Sequence, residues 1–190
     1  MAIRIAFFDA KSYDRENFAK VNENFGFDIL YYKERLSLNA VSLTQGADAV
    51  CIFVNAECDA RVIERMAGYG VKLIALRCAG FNNVDVQAAK QFGIRVVRVP
   101  AYSPHAVAEY AVTLMLTLNR KVYRSVYRTR EGILRLGGLL GFDMYGKTVG
   151  LVGMGKIAKE LVKVLRGFGM NVLAYDLYPD EASANEHQVK

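Results

Sequence analysis

Five short runs of continuously apolar residues, each followed by a stretch of different period, constrain the first hundred residues more than anything else in this chain. The runs are IRIAFF (3–8), FDILYY (27–32), ADAVCIFVN (47–55), VKLIALRC (71–78) and IRVVRVP (94–100). Strands that are apolar on both faces belong in a parallel sheet covered on both sides. The segments between them have helical spacing. DRENFAKVNENFG (14–26) sets Phe18, Val21 and Phe25 on one face and ends on glycine, DARVIERMAGYG (59–70) opens on the cap Asp59, and NVDVQAAKQFG (83–93) makes a shorter helix. Pro100 stops the fifth strand. Five strands with helical crossovers complete an α/β, flavodoxin-like domain, assigned to residues 1–101.

A boundary follows in VPAYSPHAVAEYAV. Ser103 is a good cap, and Pro104 takes the first helical position, where its missing N–H costs nothing. The helical pattern predicts one helix over 104–127, too apolar on one side to stand alone, and a homodimer through it is expected. Nearly all of the net charge of +6 lies close by: residues 119–135 carry six basic side chains and one acid. Interleaved with Tyr123 and Tyr127, such a stretch could meet nucleic acid through phosphate contacts and stacking. A solvated or subunit-facing helix is the simpler reading, and no nucleic-acid partner is expected.

Other classes recede on composition. No apolar run approaches the roughly eighteen residues that span a bilayer, and the start turns acidic at Asp9, unlike a signal peptide. A cytoplasmic setting without a membrane partner is expected. Cys51, Cys58 and Cys78 show no two-residue spacing and read as reduced core residues, while His105 and His187 lie too far apart for a ligand pattern. No metal site is expected.

The second half is dominated by TVGLVGMGKIAKELVKVLRGFGMNVLAYD (148–176), a strand, a glycine turn, a helix and a strand ending in an acid. Gly153 permits the tight turn, Gly155 leaves room for a pyrophosphate to approach the backbone, and Ala158 is small enough for the helix to lie on the strand. The helix start aims free N–H groups, those flanking Met154 among them, at phosphates. Asp176 stands about 20 residues further on, where an acid accepts from ribose hydroxyls and repels a 2′-phosphate, favouring NAD over NADP. A tight strand-to-helix turn without a ligand is the alternative. Residues 102–190 are thus assigned to the first βαβ portion of a Rossmann NAD-binding domain, incomplete, with only a two-stranded pair.

Taken together, RCAGFNNVD (77–85), VPAYSPHAVAEYAVTLML (99–116), LLGFDMYGKTVGLVGMGKIAKEL (139–161) and GFGMNVLAYDLYP (167–179) resemble the D-isomer-specific 2-hydroxyacid dehydrogenases, most closely their D-lactate branch. The pieces lie in the family's order and cover essentially the whole chain; Ala158 departs from the usual glycine. The resemblance implies an NAD-dependent oxidoreductase that interconverts a small 2-keto acid and a D-2-hydroxy acid, pyruvate and D-lactate. It implies that the N–H groups of Ala79 and Gly80 meet the substrate carboxylate. Tyr102 would lie at the domain cleft beside the substrate, or fill the hinge as an interface tyrosine. Lys156 and Ile157 would line the phosphate turn and Asp176 would take the ribose. The family's catalytic arginine, glutamate and histidine come from later segments without a counterpart here. His105 is not that histidine, and His187 has no structural frame. No catalytic residue is therefore assigned, and a truncated chain inactive by itself is expected. The alternative is a non-catalytic NAD-binding or interaction module of the same family.

Overall fold

The computed structural model describes residues 2–190 and divides the chain into two compact units, Met1–Tyr102 and Ser103–Lys190. In the first unit, β1 (Arg4–Phe7), β2 (Asp28–Tyr31), β3 (Ala49–Ile52), β4 (Leu73–Leu76) and β5 (Arg95–Arg98) form one sheet in the order β2-β1-β3-β4-β5. Every pairing is parallel, and the register sets Ala6 beside Leu30 and Val50, and Ile74 beside Val50 and Val96. Helices α1 (Ser12–Asn22), α2 (Ala60–Gly68) and α3 (Val86–Gln91) make the crossovers. Asp59 and Asp85 cap α2 and α3, accepting from the N–H groups of Val62 at 3.0 Å and Ala88 at 2.9 Å. The central strand β3 is buried throughout, and Phe8, Ile52, Ile63, Met66 and Ile74 fill the main core. At the edge, β5 is largely exposed and places arginines at both ends, which discourages edge-to-edge pairing.

Each strand is shorter than the run that predicts it, and α1 departs from its predicted face. It ends at Asn22, whose side-chain amide closes a turn on Phe27, donating to its carbonyl at 2.8 Å and accepting from its N–H at 2.9 Å. Gly26 turns the chain there with φ of +67°. Phe25 consequently lies beyond the helix, stacked on Phe27 at 5.5 Å, and Val21 is exposed. Only Phe18 of the three reaches inward, meeting Phe7 edge-on at 4.8 Å.

In the second unit, α4 (Pro104–Asn119) packs on α6 (Lys156–Gly167), and β6 (Thr148–Val152) pairs in parallel with β7 (Asn171–Tyr175). Val112, Val162, Leu165, Met170 and Val172 form its core. The single helix predicted over 104–127 is instead two, because Lys121 adopts a left-handed φ of +53° and α5 (Val122–Arg130) starts afresh. Asn119 holds the break. Its amide donates to the Phe142 carbonyl at 2.8 Å and its oxygen accepts from the Phe142 N–H at 2.9 Å. The outer edge of β7 is covered in part: Lys190 donates its N–H to Val172 at 3.1 Å and accepts from Ala174 at 2.8 Å. Before it, α7 (Glu181–His187), capped by Asp180, gives His187 the frame that its sequence surroundings do not suggest. Among the described residues, no helix is long and apolar enough to cross a membrane.

The break at residue 119 makes a stability prediction. A Cβ on Gly141 would lie 2.6 Å from the Asn119 carbonyl and 2.9 Å from its side-chain oxygen, whereas one on Gly137 would meet nothing within 4 Å. Gly141→Ala is expected to destabilise the second unit by roughly 1–3 kcal/mol and Gly137→Ala to stay within about 0.5 kcal/mol, as read from urea unfolding midpoints.

Candidate functional site

In a sheet of order 2-1-3-4-5, the chain leaves β1 toward one edge and β3 toward the other, so the loops at their carboxyl ends part and leave a crevice. A cavity of 540 Å³ lies there within the first unit, walled by Tyr13 and Phe18 of α1, Phe53 beyond β3, Arg77 and Ala79 beyond β4, and Tyr102. Tyr102, the residue with two open readings, thus lines this cavity and is 70% exposed. Among the described residues, neither the Ala79 nor the Gly80 N–H has a hydrogen-bond partner. Their loop is fixed by other groups. Arg98 donates from Nη1 to the Ala79 carbonyl at 2.9 Å, and the Val99 N–H donates to the Cys78 carbonyl at 3.2 Å. Two free amides on a fixed loop at a cavity wall suit a carboxylate.

Sequence reasoning missed two residues here. Arg77 and Asp14 face each other at 3.5 Å, with side chains only 12% and 8% exposed. An arginine at the end of an apolar run was the available signal. Cys78 donates its thiol to the Gly80 carbonyl at 3.3 Å, and burial pushes that thiol above its usual value. Burial also pushes Cys51 up to about 11 and Cys58 up to about 12, so both are inert core thiols.

The second unit carries the glycine turn. Gly153 bends with φ of +96°, a left-handed value that favours glycine, and its N–H donates to the Tyr175 carbonyl at 2.7 Å. Gly155 caps α6 in extended conformation, and an added Cβ there would meet nothing within 4 Å. The N–H groups of Gly155, Lys156 and Ile157 have no partner among the described residues, while Ala158 is half-buried one turn in. The open face of Gly155 and these three amides fit a diphosphate. The expectation of a bare amide at Met154 is not met: its N–H donates to Asp176 Oδ2 at 2.6 Å, while Oδ1 accepts from the Tyr178 N–H at 2.9 Å.

The two histidines both belong to the second unit. His105 Nδ1 lies 3.2 Å from Glu160 Oε2, and His187 Nδ1 lies 2.9 Å from the Ser183 carbonyl oxygen. Hydrogen bonding from Lys163 holds the Glu160 carboxyl below its usual value, with the charges of Lys163, His105 and His187 adding to it. Among the described residues, no cluster of three potential metal ligands occurs.

Backbone donation from Met154 and then Tyr178 lowers the Asp176 carboxyl below its ordinary value. The ionised form makes these bonds, so they hold above the ordinary carboxylate range and are lost as pH falls through the lowered value. In an acid titration the Met154 amide resonance is expected to shift with a midpoint below that of an ordinary carboxylate, and Asp176→Asn to abolish the transition.

Residues 5–187 match the family described as D-isomer specific 2-hydroxyacid dehydrogenase, catalytic domain. A 2-hydroxyacid dehydrogenase homolog of Haemophilus influenzae is 51% identical over 174 residues, 92% of this chain and 53% of that protein. The apo-structure of D-lactate dehydrogenase from Escherichia coli superposes with a TM-score of 0.88 at 48% identity, over 99% of this chain and 60% of that one. D-lactate dehydrogenase with NAD+ from Lactobacillus jensenii gives 0.69 at 32% identity, over 96% of this chain and 56% of the other. The chain thus spans about half the length of the curated relatives it matches.

Proposed function

Because the chain belongs to the D-isomer-specific 2-hydroxyacid dehydrogenases, we propose that it binds NAD in the second unit and a small 2-keto or 2-hydroxy acid in the first, the reactants of D-lactate and pyruvate interconversion. The observation that carries this reading is the turn at 153–157, where three unpartnered amides and an open glycine face lie beside the Asp176 carboxylate. Gly155, Lys156 and Ile157 would hold the diphosphate, and Asp176 would turn from Met154 to the ribose hydroxyls. The dinucleotide, when bound, supplies the hydride acceptor or donor. In the first unit Ala79 and Gly80 donate to the substrate carboxylate, and Tyr102 and Phe53 line the same cavity.

Proton transfer is where this stretch of chain stops short. Residues 1–102 contain no histidine, and Nη1 and Nη2 of Arg77 each donate to a protein carbonyl. Without a histidine in this unit, the contribution of a positioned acid–base histidine, roughly a hundredfold to ten-thousandfold, is missing. The 190 residues are therefore expected to bind without turnover, which also suits a non-catalytic NAD-binding module of the same family. A dimer through α4 and α5 is part of the same reading, since Tyr110, Leu114, Leu118, Val126 and Tyr127 are exposed along these helices. Three free thiols, two of them buried, agree with a cytoplasmic setting.

NADH titration by fluorescence tests the central claim. NADH should bind more tightly than NADPH, and Asp176→Ala should weaken NADH about tenfold or more, the effect of losing hydrogen bonds to a charged group, while narrowing the difference between the two. Equal affinity of the unaltered chain for both, or for neither, removes the reading. In light scattering, Leu118→Asp is expected to convert a dimer to monomers.

A further inference from the structure

Arg77 is bonded more heavily than any other side chain at the cavity wall. Its N–H continues the ladder by donating to Ile52 at 3.1 Å, and the side chain turns inward. Nη1 donates to the Phe8 carbonyl at 2.9 Å and Nη2 to the Asp9 carbonyl at 2.8 Å, while Nε faces Asp14 Oδ1 at 3.5 Å. The guanidinium is also stacked between two rings, 4.5 Å from the centre of Phe7 and 5.0 Å from that of Phe53. One group therefore ties together the ends of β1, β3 and β4, the first two of which diverge to make the crevice.

Such ties do not bind an anion directly. Each guanidinium nitrogen already has a protein partner, and the buried Asp14 offsets the charge. Their effect falls on the next residues along the chain. Cys78, Ala79 and Gly80 begin where Arg77 is held, and the two unpartnered amides follow within three residues. Asp9 adds a sign of strain at the same point: it is not glycine, yet it has φ of +52°, held by its N–H to Glu34 at 2.7 Å, by Lys11 at 2.6 Å and by Arg77. Strained backbone of this kind persists where the surroundings over-determine it, often at ligand sites.

We propose that Arg77, oriented by Asp14, is a positioning residue that fixes the Ala79 and Gly80 amides for a carboxylate, and so sets the preference of the cavity for anionic 2-keto acids over neutral ones. The proposal rests on the reading of the cavity as a keto-acid site. It requires the planar fork of arginine: a lysine keeps the charge but cannot span two carbonyls and a carboxylate while stacked between rings.

The test follows the backbone amide resonances of the full 190-residue chain during titration with pyruvate and, separately, with its uncharged amide, pyruvamide. In the unaltered chain pyruvate should shift Ala79 and Gly80. Arg77→Lys should weaken pyruvate on the order of tenfold to a hundredfold, by analogy with residues that orient metal ligands, and leave pyruvamide affinity nearly unchanged. Where Arg77→Lys lacks a dispersed spectrum, Asp14→Asn is judged by the same ratio. No shift in the unaltered chain removes the keto-acid reading itself. Normal pyruvate affinity in the variant, or an equal loss for both ligands, overturns the role of Arg77 and leaves that reading intact.

Discussion

Parallel pairing makes every strand of a sheet finish on the same side, and both units take their character from that constraint. In the first, the helical connections must return the chain to the starting side, so the loops after β1, β3 and β4 all gather at one end. The cavity is the gap where two of those connections diverge. In the second, the same rule acts on two strands alone. Val152 pairs with Tyr175, so the residues that follow them, Gly153 and Asp176, emerge side by side. The acid reaches the turn through strand register, with a single helix setting the distance along the chain.

The first unit also shows how a charge can sit in an apolar wall. Bringing a guanidinium and a carboxylate out of water is costly, and their attraction offsets this only when further hydrogen bonds complete the geometry. Arg77 meets that condition through two carbonyls and two aromatic faces. The pair is better understood as fixing one arrangement of three loops than as a source of stability. Nearby thiols play a different part, because burial keeps them protonated and leaves them to packing.

Much of this was legible in the residues. Continuous apolar runs declare a parallel sheet because both faces must be covered, and caps such as Asp59, Asp85 and Ser103 act within three residues of themselves. The glycine turn is likewise local. What was not legible depends on distant partners. The break at Lys121 interrupts an unbroken helical pattern and is secured by Asn119 gripping Phe142, twenty-three positions away. Arg77 looks like the polar end of a strand until Phe8 and Asp9, sixty-nine and sixty-eight positions earlier, are brought beside it. The bond from Met154 to Asp176 escapes sequence reasoning differently, since a motif is read in its liganded form.

If the turn takes a dinucleotide as proposed, that last bond would make it a filter. A bare inorganic phosphate arriving at the start of α6 would have to evict a carboxylate from the Met154 amide and then remain beside its negative charge, with nothing to offer in exchange. A nucleotide carries sugar hydroxyls to which the displaced carboxylate could rotate, so eviction and recapture would occur in one event. Discrimination against the abundant simple anions of a cell would then come from the acid, through what it refuses as much as through what it grips.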